Sequence, residues 1–248
     1  MKVAFVGIGV MGLAMAGHCA DKGHEVSAHD VDAERLAAAR LRGIRPIESL
    51  VELAENAEIF IVVVATDDQS RDVGRTLAKH ARPASLVAVA ATNQPNTMRE
   101  LATLCAERGV RFIDAPVVYG ATGANEGTLV SLCGGSETDV EYARPVLMAY
   151  SRSVIHVGPV GAGQLAKTCN NLLHWVHCVA NYETLLLAKR YGISAQRMRE
   201  VLLECPASNG TLGRWDTTKF TWQEKDMDIA IDLAQAAGLV LPLAGLVD

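Results

Sequence analysis

The sequence predicts an α/β fold: a doubly wound, mainly parallel sheet, then one long helix and a shortened all-helical C-terminal domain. Three observations lead there. Apolar runs of strand length alternate with helical stretches up to about residue 156. The first of these runs, Val3 to Val6, passes directly into Gly7-Ile8-Gly9-Val10-Met11-Gly12 and then into an amphipathic stretch from Leu13 to Lys22. From Gln164 to Tyr191 there is no proline, no glycine and no strand alternation.

Taken in order, the strand candidates are 2–6, 25–29, 58–64, 86–90, 111–114, 129–133 and 154–156. Helices are expected at 11–22, 31–41, 48–55, 68–80, 96–108 and 137–149, with Pro95 opening the one before Met98. Short loops between alternating elements imply parallel neighbours. At Gly158-Pro159-Val160-Gly161-Ala162-Gly163 the pattern changes. The stretch from Gln164 to Tyr191 reads as one helix of about 28 residues, roughly 40 Å long. Gly192 suits its C-terminal end. Further helical segments follow at 194–204 and 225–237. The expected domains are 1–160 and 161–248.

Half of the 248 residues are apolar, enough for a sizeable core. A net charge of −5 with well-mixed signs offers no basic patch for nucleic acid or a membrane surface. No apolar run approaches the ~18 residues of a membrane span. The N-terminus reads as a strand, not a signal peptide. Six cysteines without a CxxC pair read as buried thiols in a reducing, cytoplasmic setting. The Asn209-Gly210-Thr211 sequon is then a coincidence.

The glycines have separate tasks. Gly7 permits a tight turn, Gly9 lets the backbone approach a pyrophosphate, and Gly12 lets the helix pack on the strand. The helix start offers N–H groups to phosphates. A Rossmann-type dinucleotide-binding domain is therefore expected over 1–160. Asp30 closes the second strand 18 residues after Gly12, where a ribose-binding carboxylate belongs. It is followed by Val31 rather than an arginine, which favours NAD over NADP. Arg35, one turn on, reads as a solvated helix face.

Three later segments carry candidate chemistry. Gly120, Gly123 and Gly127 punctuate a polar loop that can aim N–H groups at an anion or be an ordinary connection. Lys167 and Asn171 sit at i and i+4 on one helix face, with His174 seven residues after Lys167. A lysine at a helix start is opposed by the macrodipole. His174 and His177 read as a packed or partly polar face rather than a metal site. Asp226 and Asp228 suit a helix start, a pattern that Lys225 breaks.

Together these segments resemble the β-hydroxyacid dehydrogenase family, which includes 3-hydroxyisobutyrate dehydrogenase and tartronate semialdehyde reductase. The matching pieces run in order along nearly the whole chain. They are Gly7-Ile-Gly-Val-Met11-Gly-Leu-Ala-Met15-Ala, Thr92 with Pro95, Asp114-Ala-Pro-Val with Gly120, Gly123 and Gly127-Thr-Leu, Gly163-Gln-x-x-Lys167-x-x-Asn170-Asn171, and Lys225-Asp226. The resemblance implies hydride transfer between NAD(P) and the alcohol carbon of a small anionic β-hydroxyacid or its semialdehyde. Lys167 would be the general acid/base. Burial, the helix start and a cationic nicotinamide would all disfavour its charged form. Val118, Tyr119, Gly120, Asn171 and Lys225 would bind substrate. Gly7, Gly9, Val10, Met11, Gly12, Asp30, Val31, Thr92 and Lys225 would bind the cofactor, with no metal. A homo-oligomer would form through the helical domain.

Four departures stand out. Val118-Tyr119-Gly120 replaces the usual Ser-Gly-Gly, so the pocket is expected to be narrower or its loop turned. Ala91 occupies the serine position before Thr92. The stretch from Asn171 to Lys225 is short, and so is the stretch beyond it to Asp248. The alternatives are a non-catalytic dinucleotide-binding protein with a degenerate substrate site, and an imine reductase of the same architecture.

Overall fold

Three runs, Val3–Val6, Ile59–Val62 and Leu86–Val89, are apolar at successive positions, which suits strands covered on both faces. The computed structural model, which describes residues 1–247, places them accordingly. The chain divides into two units, Met1–Lys167 and Thr168–Asp248. In the first, β1 (Lys2–Val6), β2 (Glu25–His29), β3 (Arg45–Pro46), β4 (Ile59–Val62), β5 (Leu86–Val89) and β6 (Arg111–Asp114) run parallel in the order β3-β2-β1-β4-β5-β6. This is the doubly wound Rossmann order, with its switch point between β1 and β4. β7 (Val117–Val118) continues in the direction of β6, β8 (Leu129–Gly134) turns back antiparallel to both, and β9 (Ser151–Gly158) adds parallel to β8.

Side chains alternate between the faces of each strand. Val3, Phe5, Ile59, Ile61 and Ile113 pack on one face with Met15 and Cys19 of α1 (Val10–Asp21) and Leu147 and Tyr150 of α7 (Glu137–Tyr150). Ala4, Val6, Phe60, Val62 and Phe112 pack on the other. Their partners there include Leu53 of α3 (Leu50–Ala54), Leu77 of α4 (Asp67–His80) and Met98 of α5 (Pro95–Ala106). Local chemistry sets the helix starts. Asp32 caps α2 (Ala33–Leu41), Ser136 caps α7, and Thr66 forms a capping box with Gln69.

The structure corrects several sequence expectations. β3 and β7, two residues each, are too short to leave a periodic signal. The polar loop expected around Gly120–Gly127 is largely a helix, α6 (Gly120–Glu126). A tertiary contact accompanies it: His18 Nε2 of α1 lies 3.1 Å from both the Ala124 and Asn125 carbonyls at the helix end. β9 extends well beyond the expected 154–156. The sheet is mixed at this edge, because β8 and β9 run against the direction of β6 and β7.

The long helix α8 (Ala162–Arg190) starts in the first unit and continues into the second. The second unit adds α9 (Ala195–Leu203), α10 (Gly210–Gly213), α11 (Gln223–Ala236) and α12 (Pro242–Val247). Trp175, Cys178, Met227 and Ala244 form its small core. Asp226, read from the sequence as a helix-start residue and as part of the Lys225-Asp226 pair, is buried and accepts the Trp175 indole N–H at 3.1 Å. His174 Nδ1 lies 2.9 Å from Thr211 Oγ1, a structural pairing. Among the described residues no group of three or more His, Cys, Asp or Glu is arranged to hold a metal. No described helix is long and apolar enough to cross a membrane.

Candidate dinucleotide and substrate site

The glycine turn between β1 and α1 distinguishes its glycines by what surrounds them. Gly7 has φ +86° and faces the Val63 carbonyl, so both its backbone and its surroundings exclude a side chain. A Cβ on Gly12 would collide with the Gly7 carbonyl oxygen. Gly9 differs: the nearest heavy atom to a Cβ there is Arg35 Nη1, 3.7 Å away. The protein itself does not require Gly9 to be bare. The space above it fits a ligand that comes close to the backbone, as a pyrophosphate does. Val10 and Val31 are 72% and 96% exposed, an apolar surface beside the turn.

Asp30 is buried and tied to this turn. Ile8 N–H donates to its Oδ2 at 2.8 Å and Asp32 N–H to its Oδ1 at 3.0 Å. Oδ1 keeps a second acceptor site. Arg35 is exposed, as a solvated face should be, and also lies beside two acids. Its Nη1 lies 3.4 Å from Asp30 Oδ2 and its Nε 3.4 Å from Asp32 Oδ2. Its charge thus faces carboxylates as well as solvent.

On the same carboxyl edge, beyond β5 and β6, lies a buried polar node that the sequence reading missed. Asp114 ends β6 and is fully buried. Its two oxygens accept the N–H groups of Gly161, at 2.7 Å, and Gln164, at 2.8 Å. It thus caps the start of α8 from a strand 47 residues earlier. Burial pushes the Asp114 carboxyl up, opposed by these backbone hydrogen bonds. Gly163 and Gly134 make the approach possible: a Cβ on Gly163 would come within 2.8 Å of Asp114 Oδ2 and 3.0 Å of Gly134 N. The fully buried Gln164 side chain then reaches back to the loop after β5. Its Nε2 donates to the Ala91 carbonyl at 2.8 Å, and its Oε1 accepts Asn93 N–H at 3.0 Å. The two bonds straddle Thr92. Asn93 Oδ1 in turn accepts the Ser70 hydroxyl at 3.0 Å. The signal in the sequence was the spacing Gly163-Gln164, visible as a motif but silent about its partners.

Gly7, Gly9, Val10, Met11, Gly12, Asp30, Val31 and Thr92 therefore all lie at the carboxyl edge of the sheet in the first unit. Lys167, half-buried, sits one turn along α8 from Gln164. Val118 is buried in β7, while Tyr119 and Gly120 are exposed. Tyr119 takes φ +87°, the left-handed backbone that a glycine would adopt there, so the loop keeps its turn and the ring goes outward. Asn171 and Lys225 belong to the second unit. Asn171 is buried and its Oδ1 accepts Asn170 Nδ2 at 3.0 Å.

Such a fold and glycine turn define a dinucleotide-binding protein. The comparisons with known proteins are specific. Residues 2–158 match the family model described as the NAD binding domain of 6-phosphogluconate dehydrogenase. Residues 161–248 match the model described as the NAD-binding of NADP-dependent 3-hydroxyisobutyrate dehydrogenase. A probable 3-hydroxyisobutyrate dehydrogenase of Mycobacterium tuberculosis is 31% identical, covering 97% of this chain and 88% of its own. An NAD-dependent L-serine dehydrogenase of Pseudomonas aeruginosa is 27% identical over 99% of this chain and 89% of its own. The solved Mycobacterium tuberculosis 3-hydroxyisobutyrate dehydrogenase with L-serine superposes with a TM-score of 0.91 at 30% identity, covering 99% of this chain and 90% of that one. The chain belongs to the β-hydroxyacid dehydrogenase family, whose members are NAD(P)-dependent dehydrogenases.

Two substitution sets test this geometry. Asp114→Ala leaves two buried N–H groups at the start of α8 without their acceptor and is expected to cost about 2–4 kcal/mol. Asp114→Asn keeps one acceptor and is expected to cost less; chemical denaturation measures both. Gly9→Ala is expected to fold with an unchanged thermal midpoint while losing roughly tenfold or more in dinucleotide affinity by calorimetry. Gly12→Ala is expected to destabilise the fold itself by about 1–3 kcal/mol.

Proposed function

We propose that the protein transfers a hydride between NAD and the hydroxyl-bearing carbon of a small β-hydroxyacid, with Lys167 as general acid/base. The observation that carries this reading is the Gln164 bridge. It ties the first turn of α8 to the backbone on both sides of Thr92, and so fixes where the helix carries Lys167 relative to the loop beside the expected nicotinamide. Dehydrogenation needs a proton acceptor at the alcohol oxygen and a hydride acceptor at the carbon, both held before reaction.

When bound, NAD(P) supplies the hydride acceptor. Gly7, Gly9, Val10, Met11 and Gly12 cradle its pyrophosphate, Asp30 and Val31 its adenosine ribose, and Thr92 its nicotinamide end. Lys167 Nζ takes the hydroxyl proton in oxidation and returns it in reduction. Val118, Tyr119 and Gly120 line the substrate loop, Asn171 orients the substrate, and Lys225 serves cofactor and substrate. Names of relatives support substrates of the hydroxyisobutyrate and serine type. Leu173, Tyr182 and Leu187 of α8 are 58–60% exposed, which supports association of copies through the helical domain. The reading places the protein in the cytoplasm.

Lys167→Ala is expected to lower kcat roughly 10²- to 10⁴-fold while NAD affinity stays the same. The assay is NAD-linked turnover across hydroxyisobutyrate, glycerate, serine, threonate and hydroxybutyrate. Turnover retained in this variant overturns the reading. NAD is preferred on electrostatic grounds: a 2′-phosphate would lie beside the Asp30 carboxylate, and Arg35 is already engaged by two acids. The expected kcat/KM ratio of NAD over NADP is at least roughly tenfold, about 1.4 kcal/mol. A ratio of one or below in steady-state kinetics contradicts it.

A further inference from the structure

Where this chain departs from the family's substrate loop, a second element has come to meet it. Tyr119 holds a left-handed backbone at φ +87°. A bulky side chain occupies that region only at a cost, and such outliers concentrate at functional sites. The Arg152 guanidinium lies over the Tyr119 ring, with Cζ 4.4 Å from the centroid, and Arg152 Nη2 donates to the phenol oxygen at 2.6 Å. Stacking and a charge-assisted hydrogen bond therefore hold the ring and the guanidinium together.

Arg152 is itself placed by an irregularity of the sheet. Leu129 of β8 pairs with Ser151 and Val130 pairs with Ser153, which leaves Arg152 as the extra residue of a bulge. Bulges turn a side chain away from its regular direction and are frequent beside active sites. The register also locates the pair. Asp114 lies opposite Gly134, and Val118 lies opposite Val130. Tyr119 and Arg152 therefore stand beyond the carboxyl end of the parallel strands, the edge that also carries Gly7, Asp30 and Thr92.

Among the described residues the charge of Arg152 is not neutralised by a carboxylate, unlike that of Arg71, Arg75 or Arg144. Arg152 has none within ion-pair distance among the described residues, and its one polar side-chain partner there is the Tyr119 phenol. A guanidinium carries five N–H donors in a planar fork. Stacked on a ring and bonded at one corner, it keeps the rest of that fork for an anion.

We propose that Arg152 is the carboxylate-recognition residue of the substrate site. It takes over the task of the serine hydroxyl that the loop lacks at Val118, and Tyr119 orients it. The substrate class is then a hydroxyacid whose carboxylate is bound by two parallel N–H bonds, in preference to neutral alcohols of the same shape. This deepens the dehydrogenase reading above and rests on it.

The test compares a hydroxyacid turned over by the wild-type protein with its primary amide, both at saturating NAD. In Arg152→Ala the KM for the acid is expected to rise roughly 10- to 100-fold with kcat little changed, while the KM for the amide stays put. Arg152→Lys recovers the loss only in part, because a lysine offers a point charge and no fork. An unchanged KM for the acid overturns the inference. So does an equal shift for acid and amide, which a merely structural role would give. If the wild-type protein turns over no hydroxyacid, the dehydrogenase reading itself fails and this inference falls with it. Hydroxyacid turnover with an Arg152-independent KM overturns this inference alone.

Discussion

One buried carboxylate organises the first unit. Asp114 stands at the end of β6, where the parallel sheet gives way to antiparallel strands, and holds the N–H groups that open α8. A helix of 29 residues would otherwise begin with unpaired donors against the sheet. Burial raises the cost of the carboxylate's charge, and the helix start repays it with hydrogen bonds and dipole. The surrounding glycines follow from this contact, since Gly134 and Gly163 leave room for strand end and helix start to touch. Gln164 extends the tie to the loop after β5. The position of the proposed general acid/base is thus set by a strand, a loop and a helix acting through one polar cluster.

The nucleotide edge shows the same economy. Asp30 carries the feature expected for ribose recognition, yet it also accepts the Ile8 N–H and so shapes the glycine turn itself. A change at Asp30 would alter both the ribose contact and the turn. Arg35, a surface residue as its position in the sequence suggests, reaches the two acids and lies beside Gly9.

The substrate edge combines strain with compensation. Tyr119 takes the backbone of the glycine that the family places there, and Gly123 yields the space its Cβ needs, since a Cβ on Gly123 would come within 2.7 Å of it. The turn is therefore preserved while the surface beside it changes character, from small and polar to aromatic and cationic. This is the part of the chain where its chemistry diverges most from the pattern it otherwise keeps.

The sequence by itself determined the fold class, most strands and helices, and the cofactor class. Those features rest on local rules: apolar period, helix-breaking residues, and a glycine pattern read within twelve positions. The family was legible too, because Lys167, Asn171 and the loop glycines stand at recognisable spacings. It did not disclose α6, whose last turn meets His18 of α1, or β3 and β7, which exist only because neighbouring strands are there to pair with. Nor did it disclose the Asp114–Gln164 node or the meeting of Arg152 with Tyr119. Those depend on residues separated by 33 to 73 positions being brought within hydrogen-bond distance. Only the tertiary structure decides such pairings, because a hydrogen bond is specified by position in space and direction, neither of which is written in the spacing along the chain.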